Sequence, residues 1–135
     1  MKKNIIFGLV ILLAILAVSS CSIFGVGTTM KDRVGLFVVD LNGSRANIID
    51  NIHPDASSYN TLDDTYWTQS PWTASDDPFS ITITSEGSSS ISGTFNSDTY
   101  NNSTILIEMK DDGDFFSGEN WKIMSINIAG GDNEL

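Results

Sequence analysis

The chain has 135 residues, 7 of them Lys or Arg and 17 Asp or Glu, for a net charge of −10. That length supports one domain with a real core and leaves no room for two. The acidity excludes nucleic acid as a partner, because it repels a phosphate backbone, and a single cysteine excludes an internal disulfide.

Met1-Lys2-Lys3 is a short basic region, and Ile5 to Val18 is an apolar run of 14 residues broken only by Gly8. A membrane-spanning helix needs about 20 apolar residues. The next cation after the run is Lys31, so no basic stop-transfer cluster follows. The segment therefore reads as the core of a secretory signal peptide.

The run ends in Val18-Ser19-Ser20-Cys21. These residues resemble the lipobox of bacterial lipoproteins. The resemblance implies that residues 1–20 are removed and that Cys21 carries a thioether-linked diacylglycerol and an N-acyl chain such as palmitate. Several acyl chains, at about 0.8 kcal/mol per buried CH₂, hold a protein durably on a bilayer. The membrane is thus an expected partner, and the bacterial cell envelope the expected location. Ser22 stands where an Asp commonly retains such proteins in the inner membrane, which favours the outer one. An ordinary signal peptide cut elsewhere is the alternative, and it leaves the lone Cys21 unexplained.

With Lys2 and Lys3 removed, the remaining 115 residues carry 5 basic side chains against 17 acidic, a net charge near −12. Residues 21–28 form the lipidated Cys and a short tether, 29–129 a single domain, and 130–135 a C-terminal tail expected to fray.

Thr29 to Leu41 has the clearest helical pattern. Met30, Val34, Phe37, Val38 and Leu41 fall at i, i+4, i+7, i+8 and i+11, one apolar stripe. Thr28 or Thr29 caps the first turn, and Asp32 suits the positive end of the helix dipole. Asn42-Gly43 ends it, with Gly43 expected in the left-handed conformation. Ser44 to His53 reads as a second helix, with Ile48, Ile49 and Ile52 as its apolar face, closed by Pro54. Tyr59 to Trp67 adds a short third helix, capped by Thr61. Pro71 and Pro78 then bracket a loop around Trp72.

From Phe79 the period changes from 3.6 to 2. Phe79, Ile81 and Ile83 alternate with polar residues. Ile91, Gly93 and Phe95 do the same after the Glu86-Gly87-Ser88 turn, and Ile105, Ile107 and Met109 after a polar turn over 96–102. Beyond an acidic loop, 111–118, the last strand runs from Trp121 to Ala129. Its apolar parity shifts from Trp121 and Ile123 to Met124, Ile126 and Ile128, which predicts a bulge near 123–124 or, alternatively, a strand buried on both faces. Four consecutive strands with short connections predict an antiparallel meander. Helices followed by a one-faced sheet give an α+β class, two to three N-terminal helices on a curved antiparallel sheet of about four strands. The alternative is an all-β sandwich.

In element order the chain resembles the NTF2-like (cystatin-fold) superfamily. The residues that carry the likeness are Phe37 and Leu41 on the first helix, Asn42-Gly43-Ser44, Ile48 to Ile52 with His53-Pro54, then Trp67, and Asn120-Trp121-Lys122-Ile123 with Ile126 and Ile128. The resemblance implies a cone-shaped sheet closed by helices. Four strands, where the superfamily often has five or six, depart from it.

NTF2-like isomerases and dehydratases place Asp, His or Tyr inside the cone. Here the single His53 precedes Pro54 at a helix end, where a cap or surface contact is the plainer role. Asp40 flanks the first apolar stripe as a pocket carboxylate or a solvated one. One His and one Cys leave no zinc site, and no glycine-rich phosphate loop is present. Asp111, Asp112 and Asp114 offer oxygens to calcium, but the glycine precedes the third acid, unlike an EF-hand, and Asp-Gly is also a hairpin turn. Tyr59, Tyr66, Trp67, Trp72 and Phe79 cluster around the helix-to-sheet crossing. They grip an apolar ligand if the cone is open, and fill the core if it is closed.

The expectation is a lipid-anchored envelope protein with no catalytic residues and no cofactor, binding a small apolar ligand or an envelope protein. An isomerase or hydratase of the same fold is one alternative, and a structural surface lipoprotein another.

Overall fold

The computed structural model describes residues 27–43, 45–63, 66–69, 71–73, 78–114, 117–130 and 135. Among the described residues, one α-helix and three short 3-10 turns precede four strands that pair in the order β1-β2-β3-β4, all antiparallel. This is the α+β arrangement expected from the change of period.

Helix α1 spans Met30–Asn42. Thr29 caps it reciprocally: its Oγ1 accepts from Asp32 N at 3.2 Å, and its own N donates to Asp32 Oδ2 at 3.3 Å. Met30, Val34, Phe37 and Leu41 are buried, as the stripe requires, and so is Arg33. Gly43 ends the helix at φ −125°, not in the left-handed region. Asn42 makes the termination there instead, by turning its side chain to Phe79.

The second helix is a 3-10 helix, Arg45–Asn51, rather than an α-helix. Only Ile48 and Asn51 of it are buried, at the three-residue spacing that a 3-10 turn places on one face. The expected cap, Ser44, lies outside the described residues. In place of a third helix stand two single turns, Tyr59–Thr61 and Tyr66–Thr68.

Strands β1 (Ser80–Glu86), β2 (Ser90–Asn96), β3 (Ser103–Asp111) and β4 (Trp121–Ile128) turn Ile91, Phe95, Ile105, Ile107, Met109, Ile123, Ile126 and Ile128 toward the helices. The opposite face is mostly hydroxyl-bearing, with Thr82, Thr94 and Thr104 in one row across three strands. Ser125 pairs with Glu108 and Ile123 with Met109, so Met124 is the extra residue of a bulge, where the parity shift predicts one. A second bulge falls at Thr84, between Ile83 opposite Gly93 and Ser85 opposite Ser92.

The core lies between this sheet and the helical segments. Phe37, Trp72, Phe95, Ile48 and Ile123 are among its fully buried side chains. Each large apolar side chain so buried contributes about 1.5–3 kcal/mol. At the C-terminus, Leu135 does not fray: it is buried, and its N donates to Ile126 O at 3.3 Å. Among the described residues no helix is long and apolar enough to cross a membrane.

Candidate functional site

Cys21, with the rest of 1–26, lies outside the described residues. Thr28 forms a bridge with Asn120 beside the start of β4. The chain therefore enters the domain at the end where α1 begins.

The aromatic residues singled out by the sequence come together. Trp67, Trp72 and Phe79 are 3%, 0% and 4% exposed, and Tyr59 and Tyr66 are half-buried at the rim. Phe37 joins them from α1, with ring centroids 6.1 Å from Trp67 and 5.7 Å from Trp72. Phe95 joins them from β2, 5.8 Å from Trp72 and 6.0 Å from Phe79. Edge-to-face contacts dominate, the arrangement that ring quadrupoles favour. Arg45 closes the cluster from outside, with its guanidinium over the Phe79 ring at 5.8 Å and a hydrogen bond to Trp67 O.

Two polar atoms inside the cluster, Tyr66 Oη and Trp72 Nε1, are buried without a hydrogen-bond partner. Burial pushes the Tyr66 phenol above its ordinary range, while the nearby Trp72 indole N–H pulls it partly back.

A second polar group was not legible as such in the sequence. Arg33 is 8% exposed, and its guanidinium spreads over three elements. Nε donates to Trp121 O at 2.7 Å, Nη1 to Asn51 Oδ1 at 3.1 Å, and Nη2 to Asn120 Oδ1 at 2.9 Å. Burial lowers its pKa, opposed by the charges of Asp50 and then Asp40. Asp40, the candidate pocket carboxylate, accepts from Asn51 Nδ2 at 2.7 Å. It is held in this network beside 3-10 helix 45–51. The available signal was Arg33 itself, a cation placed on the apolar stripe of α1.

His53 is buried, and its N donates to Ile123 O at 2.8 Å. Its Nδ1 accepts from Asp55 N at 3.0 Å, which leaves the proton of the neutral ring on Nε2, 3.9 Å from Asp112 Oδ1. Lys110 pairs with Asp55, and Lys122 Nζ lies 3.9 Å from Asp112. The backbone of His53 therefore anchors the segment before Pro54 to β4, and its ring is flanked by two Lys–Asp pairs.

In the acidic loop, Asp111 Oδ1 accepts from Gly113 N and Asn120 N, both at 2.8 Å, and Asp114 Oδ1 from Ser117 N at 2.7 Å. These carboxylates are turned to the backbone of their own turn. Among the described residues no group of three His, Cys, Asp or Glu side chains is placed to hold a metal ion.

Among the described residues, clefts open elsewhere. One, of about 270 Å³, lies on the outer sheet face between Leu106, Glu108, Asn127 and Leu135. Another, of about 380 Å³, lies by the β2–β3 hairpin at Pro78, Asn96, Tyr100 and Asn101. Neither is lined by the aromatic cluster. No protein family, curated protein or solved structure matches the chain.

Proposed function

We propose that this is a lipid-anchored protein of the bacterial cell envelope, held by acyl chains on Cys21, whose α+β domain binds a partner without catalysis. The observation that carries this reading is the sequence Val18-Ser19-Ser20-Cys21 closing a 14-residue apolar run after Lys2-Lys3. The element order, helical segments before a four-stranded meander, fits the NTF2-like resemblance. Packing of Phe37, Trp67, Trp72 and Phe95 ring against ring supports a partner bound at the surface, an envelope protein, over a small apolar ligand between the rings.

Membrane extraction followed by intact mass spectrometry tests it. The expected species begins at Cys21 and carries the mass of the acyl chains, and Cys21→Ser abolishes that mass and releases the protein to the soluble fraction. An unmodified chain beginning at another residue overturns the reading.

A further inference from the structure

The two edges of the sheet are treated differently. Along β4 several outer backbone groups are taken up: Ile52 bridges to Ile123, His53 N donates to Ile123 O at 2.8 Å, and Leu135 N donates to Ile126 O at 3.3 Å. Along β1, among the described residues, the ladder to β2 is the only strand pairing. One side chain closes the start of this edge. Asn42 Oδ1 accepts from Phe79 N at 2.7 Å, and Asn42 Nδ2 donates to Phe79 O at 2.8 Å.

That contact fixes the direction of the next backbone groups. Residues of an antiparallel ladder alternate between bonding the neighbouring strand and facing away from it. Phe79 faces away from β2, so Ile81 and Ile83 face away too. The bulge at Thr84 ends the alternation. A short window is left, Ser80 to Ile83, with the N–H and C=O groups of two isoleucines on its open side.

We propose that this window docks a second copy of the chain, β1 against β1, antiparallel about a two-fold axis at Thr82. In that register Ile81 of each copy lies opposite Ile83 of the other, and each such pair exchanges two backbone hydrogen bonds. Thr82 faces its own copy. Sliding the register by two residues one way requires the backbone of Phe79, which Asn42 already holds. Sliding it the other way requires Ser85, beyond the bulge.

The chemistry of the edge selects a copy of itself over a charged peptide. From Ser80 to Ser85 the strand carries no charge, in a chain with a net charge of −10, and Glu86 beyond it is paired with Lys31 at 2.7 Å. Self-repulsion is therefore least at this edge, and no free carboxylate there attracts a cationic partner. Ile81 and Ile83 are half-buried in one chain, and pairing sets each against its counterpart.

Lys31, Gly35, Val38 and Asn42 share one stripe of helix α1, whose ends reach Glu86 and Phe79 at the two ends of β1. Between them Val38 is half-buried against the core, while Gly35 bears no side chain and a Cβ built there meets nothing within 4 Å, so the room beside the edge is at Gly35. The plugged start and the bulged end also limit the contact to one partner, so the pair closes rather than growing into a filament. The contact is small, which places it among weak, reversible interfaces.

Cysteine cross-linking in cells tests this on the full chain. Thr82→Cys places two thiols directly across the axis and is expected to give a reducible band of twice the monomer mass. Thr104→Cys, on the same sheet face but two strands in, is expected to give none beyond the wild type, which controls for Cys21. Equal bands from Thr82→Cys and Thr104→Cys, or a Thr82→Cys adduct of another mass, overturn the proposal. Sedimentation decides it independently of any thiol. The wild type is expected to move from monomer toward dimer as concentration rises, while Thr82→Lys, which sets two cations face to face, stays monomeric with an unchanged circular dichroism spectrum. A wild type monomeric at millimolar concentration, or a dimer that survives Thr82→Lys, rules it out.

Discussion

Arg33 on α1 and Asn51 at the end of the following 3-10 helix meet inside the protein, with Nη1 donating to Oδ1 at 3.1 Å. Asn51 then donates from Nδ2 to Asp40 Oδ2 at 2.7 Å, so its two amide atoms are bonded in opposite senses. The guanidinium also reaches the start of β4 through Trp121 O and Asn120 Oδ1. One side chain thereby ties the helical layer to the β4 edge of the sheet.

Replacing Arg33 is accordingly expected to be costly. Arg33→Met keeps most of the apolar stem but strands the acceptors on Trp121, Asn120 and Asn51. Unpaired buried acceptors cost about 1–3 kcal/mol each, less where water enters, and the net loss is expected at about 2–4 kcal/mol. Arg33→Lys keeps the charge, lacks the fork and recovers only part. Urea unfolding of the two variants beside the wild type measures this. A midpoint for Arg33→Met equal to the wild type would remove the network from the account of stability.

Tyr66 predicts the opposite sign. Its hydroxyl is buried without a partner, so removing it relieves an uncompensated desolvation. Tyr66→Phe is expected to leave stability unchanged or raise it by up to about 1 kcal/mol at neutral pH. The folded phenol ionises above its ordinary pKa of 10.0. The unfolded chain loses this proton first, so the wild type loses stability as pH rises past 10.0, and the loss levels off above the folded pKa. Tyr66→Phe is expected to reduce that alkaline loss. Thermal melts across this range measure it, and a variant destabilised at neutral pH would show that the hydroxyl is satisfied in solution.

Much of this fold is written in periodicity. The stripe Met30, Val34, Phe37, Leu41 defines α1, and alternation from Ile81 to Met109 defines three strands. Even the bulge in β4 is visible, because Met124 breaks the parity of its neighbours. The segment 45–51 was legible as helical but not as 3-10, since adjacent Ile48 and Ile49 followed by Ile52 suit either period. The polar contacts were not legible. Asn42 binds Phe79 across 37 positions and Arg33 binds Trp121 across 88, and side chain–backbone pairs at such separations leave no repeat in the sequence. For the candidate site, the sequence placed the aromatic residues together. It could not decide between an open grip and a packed interior, because both need the same apolar rings.

Gly93 has a steric role that alternation alone conceals. It occupies a core-facing position of β2 between Ile91 and Phe95, where a side chain would be the default. A Cβ there would stand 2.2 Å from Thr82 O and 3.0 Å from Thr82 C, both backbone atoms of β1. Neither can swing aside as a side-chain tip would. Gly93→Ala is therefore expected to destabilise by about 1–3 kcal/mol or more through overpacking, although alanine is otherwise no worse than glycine in a strand. Gly35→Ala, on the exposed side of α1 with nothing within 4 Å, is expected to stabilise by about 0.5–1 kcal/mol. Paired denaturation curves give the contrast directly, and equal shifts of one sign would contradict it.

Asp55 gives the pH dependence at the acid end. Its carboxylate is exposed and accepts from Lys110 Nζ. That hydrogen bond and the lysine charge, with a smaller contribution from His53, hold its pKa below the usual 3.8. The unfolded carboxyl takes up its proton first as pH falls. The stabilisation is therefore present above 3.8 and disappears as pH drops through the folded value. Because the pair is solvent-exposed, its contribution is small and screened by salt. Asp55→Asn is expected to flatten the fall in melting temperature below about pH 4 at low ionic strength, and the difference from wild type is expected to shrink in about 1 M salt, where the Debye length is about 3 Å. Melts at three or four acidic pH values, with and without salt, suffice. An identical slope in the variant and the wild type at low salt would show that the Lys110–Asp55 pair does not persist in solution.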